Sequence, residues 1–175
     1  MTKEDFSELY GVPKQYLYSL HEERCHSGNA PTIAQIVEEL GLDFCMDWVK
    51  NFLLDLQNFT SATRHLDANQ LRQVCFIVTT QFRRLKVTEF MLFCIKAKSG
   101  EFGKFFNTID PMDIITALRR WQSSCDALTA RRFEEELREK ERAERVAAHQ
   151  GTITYEQALE RGLIQEKWRE YLHQK

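Results

Sequence analysis

Glycine and proline are scarce in this chain, with seven and three among 175 residues. That is about half the share usual in globular proteins, which argues against a turn-rich β fold and for helices. Paired cysteine motifs are missing as well. The five cysteines (Cys25, Cys45, Cys75, Cys94 and Cys125) are odd in number and widely spaced, with no CxxC. They predict reduced thiols in a cytoplasmic protein rather than a disulfide framework. Long apolar runs are absent too. The longest uncharged run in the apolar middle, Gln73 to Phe82, is ten residues, against the ~20 that span a bilayer. The acidic start, Met1-Thr-Lys-Glu-Asp-Phe-Ser-Glu, lacks the apolar stretch of a signal peptide. No membrane partner is expected. A net charge of −2 gives no global attraction to polyanions.

Catalytic signatures are equally thin. No GxSxG, GxxxxGK[ST] or GxGxxG occurs. Gly100-Glu-Phe-Gly103 is a short glycine spacing that a tight turn explains. Glu22/Glu23 and Glu38/Glu39 stand in polar surroundings that raise no pKa for acid catalysis. Asp43 and Asp47 share a helical face, with Asp43 expected to cap. His21-Glu22-Glu23-Arg24-Cys25 resembles HExxH with Cys25 in the second ligand position. A third ligand is not identifiable, so neither metal nor cofactor is expected, and the chain reads as a non-enzyme.

What is present is apolar material at helical spacing. Hydrophobic residues make up 43%, with twelve Phe and three Trp, enough for a packed core. Pro13 opens a segment with Tyr16, Leu17 and Leu20, and Cys25 to Pro31 reads as a loop. Thr32 with Gln35 forms a capping box for a helix from Ile33 to Leu40 that Gly41 stops. Phe44, Trp48, Phe52 and Leu56 recur every four residues. Asp67 with Gln70 makes a second box, followed by Leu71, Val74, Cys75, Val78, Phe82 and Leu85 at 3,4 spacing. Val74 to Thr80 is rich in β-branched residues and could be a buried strand, although the spacing on both sides favours helix. Thr88 opens a short apolar helix, and Asp110-Pro-Met-Asp113 starts another that carries Ile114, Ile115, Leu118, Trp121, Cys125 and Leu128.

Composition then changes. Residues 131–145 hold six Arg/Lys and six Glu, with only Phe133, Leu137 and Ala143 apolar. Three i,i+4 pairs, Glu134 with Arg138, Glu136 with Lys140 and Glu141 with Arg145, can support such a helix in water. Thr154 with Gln157 caps a last helix bearing Tyr155, Leu159, Leu163, Trp168 and Leu172. The expected fold is all-α, with a multi-helix bundle over 1–125, a charged helix over 126–150 and a C-terminal amphipathic helix over 151–175.

Charge is unevenly spread: −5 over residues 1–66, +4 over 67–125 and −1 over 126–175. The basic residues of the middle cluster as Arg83, Arg84 and Lys86, as Lys96, Lys98 and Lys104, and as Arg119 and Arg120, interleaved with Phe102, Phe105, Phe106 and Trp121. Cations for phosphates and rings for base stacking suit nucleic-acid binding across 83–121. The plainer alternative makes the cations solvated helix faces and the rings core. Asp110 already occupies one helix N-terminus, which argues against phosphate docking there. The other candidate surface is the charged helix with Phe133 and Leu137, together with Trp168 and Leu172, an arrangement that suits capture of a protein partner. Its alternative is packing against the chain's own body.

The series Lys98-Ser-Gly-Glu-Phe-Gly-Lys-Phe-Phe106 followed by Asp110-Pro-Met-Asp-Ile-Ile-Thr-Ala-Leu118 resembles an uncharacterised family of small helical proteins encoded on phages and conjugative elements of gut bacteria. The likeness covers roughly residues 70–121. Members usually carry Tyr where Phe106 stands and often Gly at Asn107. The resemblance implies no known activity. In layout the chain is also similar to phage helicase loaders, which have a small helical body and a charged tail that contacts the replicative helicase. The expectation is a non-enzymatic adaptor of a mobile element in DNA replication or metabolism, with Lys98–Phe106 as a second contact surface. Direct nucleic-acid binding is the alternative.

Overall fold

The computed structural model describes residues 1–60, 64–103, 109–150 and 155–162. Its helices are α1 (Lys3–Tyr10), α2 (Gln15–Ser19), α3 (Glu22–Ser27), α4 (Ile33–Leu40), α5 (Leu42–Phe59), α6 (Ala68–Gln81), α7 (Val87–Lys98), α8 (Pro111–Gln150) and α9 (Tyr155–Glu160). A 3-10 turn over Val12–Lys14 joins the first two. No strand occurs among the described residues, so the all-α expectation holds and Val74 to Thr80 is helix. Two compact units are present, residues 1–130 and 131–175.

Local chemistry explains the helix ends. Thr2 with Asp5, Thr32 with Gln35 and Asp67 with Gln70 all form reciprocal capping boxes. Asp43, expected to cap, is the second residue of the helix; Gly41 takes the cap position with φ +97°, a region where only glycine avoids a Cβ penalty. The first N–H groups of α4 need partners outside the helix. They find them in the segment before α7: Ile33 N–H donates to Leu85 O and Ala34 N–H to Arg83 O, both at 2.9 Å. The expected loop from Cys25 is partly helix, because α3 runs on to Ser27.

In unit 1, α7 is the centre. Every residue from Val87 to Cys94 is buried, as an all-round apolar helix requires. α5 lays Trp48, Phe52 and Leu56 against it, with Trp48 and Phe90 ring centroids 5.4 Å apart. Phe6 of α1 meets Phe44 and Trp48 edge-on, and the Trp48 indole N–H donates to Tyr10 O at 2.7 Å. The first turns of α8 bury Ile114, Ile115, Leu118, Trp121 and Cys125 as the spacing predicts, whereas Leu128 is exposed. Tyr16, Leu17 and Leu20, which follow Pro13 at helical spacing, also face outward: the 3-10 turn and the five-residue α2 are too short to hold one helical face.

Candidate functional site

The basic residues of the middle segment do not form one open surface. Arg83 pairs with Glu38 at 2.9 Å and Arg84 with Asp126 at 3.0 Å. Lys96 bridges Glu22 and Glu101 at 3.2 and 3.0 Å while lying over the Trp121 ring. Burial alone pulls the Lys96 pKa down, but the hydrogen bonds it donates to the Glu101 and Glu22 carboxylates outweigh that and raise it above its ordinary value. Lys86 donates from Nζ to His26 O at 2.6 Å and to Gly28 O at 2.9 Å, tying down the end of α3.

Lys98 is the largest departure from expectation. Its side chain is only 6% exposed and is paired with Asp55, between the rings of Tyr16 and Phe59. Gln15 Nε2 donates to the same carboxylate at 2.7 Å. Enclosed and paired in this way, Lys98 is not part of an open basic surface. Of the expected stacking rings, Trp121 is buried and Phe102 packs against Phe93 and Trp121. Arg119 and Arg120 remain exposed on α8. Lys104, Phe105 and Phe106 lie outside the described residues.

The charged half of α8 presents its apolar side chains openly. Phe133 is 68% exposed and Leu137 47%, one turn apart on the same face. Around them the surface is carboxylate and guanidinium. Of the three expected i,i+4 pairs, Glu134 with Arg138 comes within ion-pair distance, at 3.8 Å. Trp168 and Leu172 lie outside the described residues, as do Leu163 and Thr154.

The near-HExxH motif does not assemble. His21 has φ −136° and ψ 63° at the N-cap of α3, so it is off the helical face that carries Cys25. The Cys25 thiol donates to Tyr18 O at 3.3 Å. The neighbouring residue, His26, turns inward instead. Its Nδ1 and Glu89 Oε1 are 2.9 Å apart, with both side chains about 5% exposed. Cys125 completes a buried group whose ligating atoms lie within 4.8 Å of one another. Glu89 also accepts from the Lys86 backbone N–H at 2.9 Å, and the Trp121 indole N–H donates to Glu89 O at 2.9 Å.

Sequence reading missed this group because its members are 26, 89 and 125, on three helices, with no local spacing. The single clue was a Glu, next to Thr88, inside the mostly apolar Val87–Cys94 run. Also missed was an open groove of about 940 Å³ between α5 and α6, lined by Leu42, Met46, Leu71, Arg72 and Phe76. Phe76 falls off the α6 core stripe, and that displacement was its one available signal.

The five thiols are poor nucleophiles. Burial pushes Cys25 up to about 11 and both Cys45 and Cys75 up to about 12. Cys94 and Cys125 are raised further, again chiefly by burial. The group around His26 therefore lacks the low-pKa thiol that covalent catalysis needs.

No curated protein and no solved structure matches this chain. The Family of unknown function (DUF6633) matches residues 66–169, more than half of the 175 residues and including α6, α7 and α8. The chain belongs to that family.

Proposed function

We propose that this protein is a non-enzymatic adaptor, encoded on a mobile genetic element and active in the cytoplasm in DNA replication or metabolism. It acts by capturing a protein partner, of which a replicative helicase is the leading candidate, through the charged half of α8. The observation that carries this reading is the open Phe133–Leu137 face on a helix that is otherwise charged. Burying two such side chains in a partner's groove releases on the order of 1.5–3 kcal/mol each. The surrounding Glu and Arg side chains then set register and partner choice. The α5–α6 groove, with Phe76 half exposed at its edge, offers a second apolar contact on unit 1.

Nucleic-acid binding draws less support. Arg83, Arg84, Lys96 and Lys98 each have a carboxylate partner, and a phosphate would have to displace it. Arg119 and Arg120 are left as an exposed pair, far short of the contacts that make steep salt-dependent binding.

The test exchanges acid for base throughout residues 131–145, which keeps the i,i+4 pairing but inverts the local field. Native-host pull-downs with the unaltered chain should recover a replication protein, and the exchanged variant should lose it with its far-UV spectrum unchanged. Capture that survives the exchange would refute the reading.

A further inference from the structure

Three zinc-ligating side chain types meet at one buried point of unit 1: an imidazole from the last turn of α3 (His26), a carboxylate from the first turn of α7 (Glu89) and a thiol from α8 (Cys125). Each is buried, with His26 and Glu89 already paired at 2.9 Å, so three potential ligands stand together where a core otherwise excludes polar atoms. From this geometry we propose that His26, Glu89 and Cys125 form a zinc site that locks α3 and α7 to the first part of α8.

Size agrees. A tetrahedral zinc with bonds of ~2.0–2.3 Å holds its ligand atoms about 3.3–3.8 Å apart. His26 Nδ1 and Glu89 Oε1 are closer than that, at 2.9 Å, and no two of the three ligand atoms are more than 4.8 Å apart, so small side-chain shifts reach it. Charge agrees too. On binding, Zn²⁺ displaces the thiol proton of Cys125 to solvent, and the ion with one thiolate, one carboxylate and a neutral imidazole has no net charge. A neutral site is the kind a buried position tolerates.

The surroundings already orient the ligands as metal sites require. Glu89 Oε2 is held by the Lys86 N–H, which leaves Oε1 toward His26. The carbonyl of His26 is fixed by Lys86 Nζ. The Trp121 ring packs 5.7 Å from the imidazole, while its N–H bonds the Glu89 carbonyl. Three protein donors leave one tetrahedral position for water. The set mixes sulfur, nitrogen and oxygen, which suits zinc and its spectroscopic substitute cobalt better than calcium or magnesium.

The experiment adds Co²⁺ and then Zn²⁺ to the full chain after chelator treatment. One equivalent of Co²⁺ should give the intense visible bands of a tetrahedral site together with a sulfur-to-cobalt charge-transfer band, and Zn²⁺ should erase both. Zn²⁺ should also raise the melting temperature. Cys125→Ser should lose the charge-transfer band and the thermal shift, whereas Cys25→Ser should keep both. If Cys125→Ser does not fold, the unaltered chain decides by its spectrum and thermal shift. Unaltered protein with octahedral cobalt spectra, no charge-transfer band and no thermal response to Zn²⁺ overturns the proposal. So does a charge-transfer band that survives in Cys125→Ser.

Discussion

His26 and Glu89 are 63 positions apart in sequence, yet His26 Nδ1 and Glu89 Oε1 meet at 2.9 Å inside the core. Glu89 is therefore both an N-terminal capping residue of α7 and the partner of a residue on α3. Replacing it with Ala strands a buried imidazole and an uncapped Lys86 N–H. The expected loss is about 3–5 kcal/mol, the usual cost of orphaning one member of a buried pair. Gln keeps the size and an acceptor, so Glu89→Gln should cost clearly less. Urea denaturation of the two variants checks the order, and equal losses would contradict the account.

Lys98 and Asp55 should behave as a coupled pair. Either single change, Lys98→Met or Asp55→Asn, leaves the other group among the Tyr16 and Phe59 rings or beside Gln15 without its countercharge. The double variant removes both charges and should be less destabilised than the sum of the singles, with an interaction energy of ~0.5–3 kcal/mol. Simple additivity in a double-mutant cycle would show that Lys98 is a surface cation after all.

Thiol reactivity follows from burial. All five cysteines are buried, and Cys25, Cys45 and Cys75 have pKa values pushed up to about 11–12. Raised values mean that the neutral thiol prevails at pH 8, and only the thiolate attacks. Native protein should thus react slowly with an aromatic disulfide reagent at pH 8, and unfolded protein at once with all five. Thiolate formation also adds a charge that the folded core resists. Stability should accordingly fall once pH rises past the ordinary thiol value of 9.0 toward the folded ones. Rapid native labelling at pH 8 would contradict the packing described.

Much of the fold was legible because its determinants are local. Thr32–Gln35 and Asp67–Gln70 announce helix starts within four residues, and the Phe44–Leu56 periodicity names the face that α5 buries. Less legible was the partnering of charges. Lys96 and Lys98 read as free cations because Glu22 and Asp55, which hold them, are 74 and 43 positions away. For the same reason the HExxC spacing pointed to His21, whereas the buried group with Glu89 and Cys125 contains His26. A periodicity count assumes one continuous helix from His21 to Cys25, and α3 begins only at Glu22. Exposure of Phe133 was not decidable from spacing, since an apolar pair on a charged helix serves a partner or the chain's own body equally well.

The adaptor reading depends most on the Phe133–Leu137 face. Its sharpest measurement is the affinity of the Phe133→Ser/Leu137→Ser protein for the partner recovered with the unaltered chain, taken alongside both melting temperatures. Losing at least ~2 kcal/mol of buried apolar surface should weaken binding about 30-fold or more, with the melting temperature little moved because about half or more of each side chain is exposed. Unchanged affinity, or a melting temperature that drops with the substitution, would contradict the claim that this face exists for another protein.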